Sequence, residues 1–298
     1  MKRIKLSLIK YCFLLAAIIC NLSVTKLQAQ FFEGGLLIGG SNYLGDLSGT
    51  SINLNTTRPA AGVLLRYHVN DRFTIKGFGG YGMIWGADSL STKQVHLSRN
   101  LSFFTHIIEF SGHIEYNILK FSYKRYAPRP FVPYVFAGIG VFNFNPQTYY
   151  NGVVYELQPR ATEGQGTTEY NDKTKYNLTQ FCIPFGFGVK KRITDRLTLG
   201  VEVGARYTFT NYLDDVGGTY AYARVVERAY GDIAGALSDR SIEKNFILDE
   251  NGNRIPVPLF TEGMARSKKR FDINDIYIFT GLTVTFRLKK NVQCPTFK

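Results

Sequence analysis

Apolar and polar residues alternate along most of this chain. From Leu197 to Thr210, Leu197, Leu199, Val201, Val203, Ala205, Tyr207 and Phe209 fall on one face, and Thr198, Gly200, Glu202, Gly204, Arg206, Thr208 and Thr210 on the other. From Ile276 to Leu288 the even positions read Ile, Ile, Thr, Leu, Val, Phe, Leu, and the odd ones Tyr, Phe, Gly, Thr, Thr, Arg. A repeat of two puts successive side chains on opposite faces of a strand. The same alternation recurs near 33–46, 60–69, 73–87, 103–118, 131–144 and 179–193. That makes eight segments, several at least as long as the roughly 9 to 11 residues a tilted strand needs to cross a bilayer.

The connections between these segments alternate in length. Asn70-Asp71-Arg72 and Thr194-Asp195-Arg196 are tight turns, whereas 47–59, 88–102, 146–178 and 216–272 are long. Short turns at one end and long loops at the other are the asymmetry of outer-membrane barrels. A soluble sandwich also alternates, but its polar face should be rich in Lys, Glu and Thr. Here the polar faces carry glycines (Gly186, Gly188, Gly200, Gly204) and scattered charges: Glu109, Glu115, Glu202, Arg66, Arg206, Lys76 and Lys190. Inward glycines suit a narrow eight-stranded barrel with room only for side chains, and charges enclosed there must pair. The expected fold is therefore all-β: a closed, antiparallel transmembrane barrel with a filled lumen and long extracellular loops. Aromatics toward strand ends, at Tyr81, Trp85, Phe103, Phe104, Tyr207, Phe209 and Tyr212, suit a membrane interface.

Within the long loops, Asn-Gly at 151–152 and 251–252 lies between β-favouring residues, a hairpin signal. Tyr222 to Leu237 has helical spacing. Counting the loop elements as additions to the wall makes ten strands the alternative to eight. Asp249 to Asn253 begins like a calcium loop, but its ligand spacing breaks off, and it reads as a turn.

The first 29 residues differ from the rest. Lys2, Arg3, Lys5 and Lys10 precede the apolar run Tyr11 to Ile19, and a polar stretch ends at Leu27-Gln28-Ala29. This is the order of a secretory signal peptide, with cleavage expected after Ala29. A retained anchor is the alternative, although the run is short for ~30 Å of hydrocarbon; lipidation at Cys20 is another, with Ile19 where Gly, Ala or Ser is usual. The organisation is thus 1–29 signal, 30–288 barrel and 289–298 periplasmic tail.

Composition then narrows the function. The formal charge of +13 falls to +8 once the leader's five cations are removed, leaving 31 Lys and Arg against 23 Asp and Glu. No basic run would track a phosphate backbone, so nucleic acid is not expected as a partner. Cys182 and Cys294 remain, 112 residues apart without neighbouring His, which disfavours zinc. The histidines are His68, His96, His106 and His113; His106 with Ser111 or Ser102 is the nearest pairing for acid/base work, as a lipid A-modifying barrel would need, but no orienting group accompanies it. No phosphate loop, nucleophile elbow or His-Glu-x-x-His occurs. No enzyme activity, cofactor or small-molecule substrate is expected.

Several stretches resemble the PorG family of outer-membrane barrels. They are Glu33-Gly34-Gly35, Gly40 to Leu47 (Gly-Ser-Asn-Tyr-Leu-Gly-Asp-Leu), Pro133 to Pro146, Ile183 to Lys190, Thr194 to Leu197, Arg206 to Val216 and Asn274 to Tyr277. The Ser-Asn-Tyr-x-Gly-Asp and Tyr-Leu-Asp-Asp pieces are the more specific ones. The resemblance implies a non-enzymatic part of the type IX secretion system of Bacteroidota, tied to a periplasmic ring made by a lipoprotein and its partner. Such machines export proteins with a C-terminal sorting domain and in some species support gliding motility. An even strand count returns both termini to the periplasm, where Lys120, Lys124, Arg125, Arg129, Lys289 and Lys290 form a candidate surface for an acidic partner or anionic outer-membrane lipid. The chain departs from the usual barrel pattern in carrying ten residues beyond Leu288, where an aromatic ending is common.

Overall fold

A computed structural model describes residues 31–48, 54–121, 130–250, 252–267 and 274–288. The expected signal segment and periplasmic tail lie outside them. The barrel is built from β1 (Phe31–Leu44), β2 (Arg58–His68), β3 (Phe73–Ala87), β4 (Ser102–Asn117), β5 (Phe131–Asn143), β8 (Thr179–Arg192), β9 (Leu197–Thr208) and β12 (Ile276–Arg287). Every neighbouring pair is antiparallel, in the order β3-β2-β1-β12-β9-β8-β5-β4, and β3 pairs with β4 to close the ring. Closure removes the free sheet edges that would otherwise expose unpaired backbone groups. Eight strands is thus the wall count, each within two residues of its expected start.

The remaining strands decorate the long-loop end. β6 (Gln147–Tyr150) and β7 (Val153–Glu156) form a hairpin that touches the wall through Phe104 opposite Gln147. Its turn, Asn151-Gly152, has φ of 49° and 79°, the left-handed pair that a two-residue hairpin requires. β10 (Phe246–Leu248) and β11 (Arg254–Pro256) form a separate hairpin, where Asp249 accepts from the Asn253 N–H at 2.7 Å and closes the turn. Between Tyr222 and Leu237 lie two helices rather than one: α2 (Ala223–Tyr230) and α3 (Asp232–Ser238), broken at Gly231 with φ 89°. A further short helix, α1 (Gln94–Arg99), sits between β3 and β4. No helix among the described residues is long and apolar enough to cross a membrane.

The short turns are closed by side chains. Asn70 Oδ1 accepts from the Arg72 and Phe73 N–H groups, each at 2.8 Å, and Thr194 Oγ1 accepts from Arg196 and Leu197 at 3.2 and 3.0 Å. These local bonds fix the hairpin register. The alternation then sets which side chains face out and which face in. Outward go Leu36, Ile38, Val63, Leu65, Ile108, Phe110, Ile114, Ile139, Phe181, Phe187, Val201 and Leu282, all exposed. Among the described residues, charged side chains occur on this surface only at its ends: Arg58 lies 4.9 Å over Trp85 at the long-loop end, and Lys191 lies 4.4 Å over Phe131 at the short-turn end; Arg287, opposite inward Glu33, lies 4.8 Å over buried Phe31 at the foot of the lumen. Between Tyr116 and His106 on β4, ten residues at ~3.4 Å and a ~40° tilt give roughly 26 Å of belt height.

Inward glycines make room for rings. A Cβ at Gly80 would come within 2.5 Å of the Phe78 ring, and one at Gly188 within 2.5 Å of Tyr134. Two expectations about aromatics are corrected. Phe103 points inward, buried against Tyr43 at 4.9 Å between ring centroids, because the lumen near the long loops is apolar. Tyr212 belongs to the loops, stacked 4.7 Å from Tyr176.

Candidate functional site

The barrel interior is arranged in tiers. Nearest the short turns, Glu33 of β1 lies 3.1 Å from His68 of β2, and His68 Nδ1 meets Thr74 Oγ1 at 3.0 Å. Thr198 and Thr285 hydroxyls donate to the Glu33 carboxylate at 3.2 and 3.4 Å. Phe31 and Phe121 stack on the His68 ring at 4.4 and 5.5 Å and close the lumen floor. Glu33 and His68 were not among the expected lumen charges; inward parity with the neighbouring strands was the signal that could have found them.

The middle tier gathers five of the expected residues. Arg66 and Lys76 are directly opposed on β2 and β3, a juxtaposition that would repel without carboxylates between them. Glu115 comes from β4 and Glu202 from β9. Arg66 Nε lies 2.9 Å from Glu115 and its Nη2 3.5 Å from Glu202; Lys76 Nζ lies 2.8 Å from Glu202 and 3.4 Å from Glu115; Lys190 Nζ lies 3.0 Å from Glu115. The Tyr134 hydroxyl donates to Glu202 at 2.7 Å. Charges removed from water in this way hold only when their remaining donors and acceptors are also bonded.

The other two expected residues pair one tier up, where Arg206 Nε donates to Glu109 at 2.9 Å. The Tyr277 and Ser111 hydroxyls also donate to Glu109, at 3.1 and 2.5 Å, and His113 Nε2 meets Ser111 Oγ at 2.9 Å. Arg206 lies between the Phe279 and Phe78 rings, 4.6 and 5.5 Å from their centroids. This geometry separates the expected His106–Ser111 pairing. His106 faces outward, with Nδ1 2.7 Å from the Tyr81 hydroxyl, while Ser111 is committed to Glu109 and His113. Ser102 meets Thr148 at 3.2 Å instead.

Above these tiers Ile84, Phe103, Ile107, Phe142 and Phe144 form an apolar layer with Leu47, Leu213, Val216 and Leu237 from the loops. The loops then fold into a cap. Tyr43, at the end of β1, donates to Asp214 at 2.5 Å, and one carboxylate oxygen each from Asp46, Asp214 and Asp275 lies within 4.8 Å of the others. All three are buried. Burial, with Asp275 and Asp46 close by, pushes the Asp214 carboxyl well above the usual carboxylate range. Oxygen donors at this spacing are the type a hard cation takes.

A second cap cluster lies beside the first. Glu163 accepts from the Gly217 and Gly218 N–H groups, both at 3.1 Å, and Asp215 accepts from Tyr176 at 2.7 Å. Arg266 donates to Thr162 Oγ1 at 2.6 Å and to the Asp215 carbonyl at 2.8 Å. Burial raises both Glu163 and Asp215, with Arg266 pulling back in each case. Arg99 grips Asp88 through two bonds of 2.7 and 2.8 Å and donates to the Arg266 carbonyl at 2.6 Å, tying the β3–β4 loop to the β9–β12 loop.

These contacts join sequence pieces that are far apart. Tyr43 and Asp46, Asp214 and Asp215, and Asp275 all meet over the barrel mouth. A family model described as a domain of unknown function, DUF6089, matches residues 12–221. The chain belongs to the DUF6089 family. No curated protein matches it by sequence. Among solved structures, this DUF6089 member is similar to Ail, the attachment invasion locus protein of Yersinia pestis, in complex with the heparin analogue sucrose octasulfate. Identity is 7%, 88% of this chain and 100% of that one are covered, and the TM-score is 0.37. The N-terminal β-barrel domain of Pseudomonas aeruginosa OprF is 10% identical at a TM-score of 0.36, and Neisserial surface protein A 8% at 0.37, each over 88% of this chain and 100% of the other. At such identities the likeness concerns the fold alone.

Of the expected partner-facing cations, Lys120 is exposed just beyond β4. Lys124, Arg125, Arg129, Lys289 and Lys290 lie outside the described residues.

Proposed function

We propose that this barrel is a non-enzymatic outer-membrane component of the type IX secretion machinery, linking the periplasmic ring lipoprotein and its partner to the membrane. The observation that carries the membrane part is the inversion of the wall. Apolar side chains face out along the whole belt and charges face in, the reverse of what water outside and a dry core inside would favour. The machinery part is supported by the family-like motifs, which converge on Tyr43, Asp46, Asp214 and Asp275. In this reading the long-loop cap faces the exterior, and the short turns, Lys120 and the C-terminal tail face the periplasm.

A filled interior suits a structural link rather than a passage. Three tiers of bonded side chains and an apolar layer occupy the lumen, and among the described residues the outward His106–Tyr81 pair has no serine beside it in the hydrogen-bond pattern. Deleting the gene should block export of proteins bearing the sorting domain while leaving membrane integrity intact. Normal export in the deletion strain would reduce the role to that of a general structural barrel. Photo-crosslinking from Lys120 should capture the ring lipoprotein or its partner.

A further inference from the structure

The β10–β11 hairpin stands apart from the other strands. Among the described residues it forms a two-stranded sheet of its own, whereas the remaining strands belong to one sheet. Its pairs are Phe246–Pro256, Ile247–Ile255 and Leu248–Arg254, so Phe246 and Leu248 share one face and Ile247 and Ile255 the other. All four are exposed, at 42, 63, 57 and 45%. Both faces therefore carry bare apolar side chains. A lone two-stranded hairpin is marginal in water, and exposed apolar surface on it calls for a covering partner.

The hydrogen bonds of the hairpin leave one edge open. The Val257 N–H donates to the Asn245 carbonyl and the Asp249 N–H to the Asn253 carbonyl, both at 2.9 Å. Bonded rungs alternate along an antiparallel pair, so the backbone groups of 245, 247 and 249 turn toward β11 and those of Phe246 and Leu248 turn away. No hydrogen bond among the described residues takes them. On β11 the positions that turn away are Arg254 and Pro256, and a proline has no N–H to offer. One edge of the hairpin can thus accept a further strand, and the other is blunted.

The open edge is complementary to itself. Residues 244–250 read Lys-Asn-Phe-Ile-Leu-Asp-Glu. Laid antiparallel on a second copy and centred on Ile247, Phe246 exchanges both backbone bonds with the copy's Leu248, and Ile247 meets the copy's Ile247. At each end Lys244 then stands opposite Glu250, and both are exposed. Lys244 donates to the Leu97 carbonyl at 3.3 Å, which leaves two of its three ammonium hydrogens for a carboxylate. A slip of two residues one way sets Glu243 against Asp249, and the other way sets Phe246 against Glu250. Charge therefore selects the centred register.

We propose that β10 is a self-association edge, through which two copies of this chain pair antiparallel about Ile247 into one four-stranded sheet, β11-β10-β10-β11, on the long-loop side. Pro256 at each outer edge stops the sheet at two copies. The inference goes beyond the role proposed above and rests on its membrane reading in one respect: barrels confined to one membrane meet at a high effective concentration, which a contact of one strand pair needs.

The test is oxidation of membrane-purified protein diluted in phosphatidylcholine vesicles, with Ile247→Cys in a Cys294→Ser background; Cys182 is buried. Across a rung that is not hydrogen-bonded, Cα atoms lie about 4.5 Å apart, within reach of a disulfide. Ile255→Cys is the control, on the same face but three strand spacings, ~14 Å, from its counterpart. Ile247→Cys should give a disulfide-linked dimer several-fold in excess of Ile255→Cys. Adding Lys244→Glu should lower that yield several-fold, and Lys244→Glu/Glu250→Lys should restore it. Equal yields at 247 and 255, no dimer at 247, or a dimer indifferent to the charge exchange each overturns the proposal. The hairpin lies outside the wall, so heat-modifiable migration reports insertion separately: a chain that inserts and stays monomeric sinks this inference alone, and one that never inserts sinks the membrane reading and this inference with it.

Discussion

The barrel interior and the loop cap both bury many charges, but they balance them differently. In the interior Glu33, Glu109, Glu115 and Glu202 each have a basic side chain within 3.1 Å. In the cap Asp214 is bonded to a tyrosine and a backbone N–H, and Glu163 mainly to backbone N–H groups and a tyrosine, with Arg266 3.6 Å away. Facing strands can supply cation and carboxylate from fixed registers, so the wall pairs charge with charge. Around Asp214, Asp215 and Glu163 the loops supply mainly hydroxyls and backbone, so these carboxyls are held by hydrogen bonds and by a raised affinity for protons, whereas Asp88 is gripped by Arg99 as the wall carboxylates are by their cations. The wall is thus built to be rigid over a wide range of conditions, and the cap to respond to them.

The largest expected effect falls on the wall. Glu115 takes Arg66, Lys76 and Lys190 together, so Glu115→Ala should leave buried cations uncompensated and cost about 3–5 kcal/mol, measured by urea unfolding in lipid vesicles. A loss below ~1 kcal/mol would mean that water reaches the tier and the interior is not filled. Next, Val201→Arg puts a charge on the outward face and should cost roughly 2–4 kcal/mol near the bilayer midplane. Thr198→Arg, inward and near the turn, should cost less; equal losses would mean the two faces are not distinguished by lipid.

In the cap the effects should be smaller and local. Tyr43→Phe removes the donor to Asp214 and should cost about 1–2 kcal/mol, seen as faster hydrogen exchange in residues 213–218 with the wall unchanged. A matching loss of global stability would merge the two regions into one cooperative unit. The smallest effect is that of pH. Asp214, Glu163 and Asp215 have carboxyls raised above their unfolded values, so the folded cap binds more protons than the unfolded chain. Its stability is therefore greatest below the ordinary carboxylate range near 4 and declines as pH rises through the raised values. Hydrogen exchange in the cap should quicken between acid and neutral pH, and Asp214→Asn should flatten that trend. A cap that tightens as pH rises would contradict the sign.

Most of the wall could be read from the chain because a period of two is imposed locally, by the apolar belt on one side and the narrow lumen on the other. All eight strands were visible as alternation, and the turns at 70–72 and 194–196 as side chains able to cap their own backbone. Legibility ended where contacts depend on closure. Nothing near Asp46 announces Asp214 or Asp275; ring closure and the return of the last long loop bring them together. Phe103 was misplaced because, above the polar tiers, inward positions are apolar too, and alternation of hydrophobicity fades there while alternation of direction continues. The helix expected over 222–237 became two because Gly231 takes a backbone conformation that a helix interior does not allow.

Hydrocarbon against the outward face is the claim on which the account stands, and the single tryptophan offers a direct probe. In vesicles of brominated lipid, a Val201→Trp substitution in a Trp85→Phe background should be quenched strongly by bromines at mid-chain depth. Thr198→Trp in the same background, inside the wall, should be quenched weakly at every depth. Equal, weak quenching of both positions by all brominated lipids would contradict a membrane-spanning barrel.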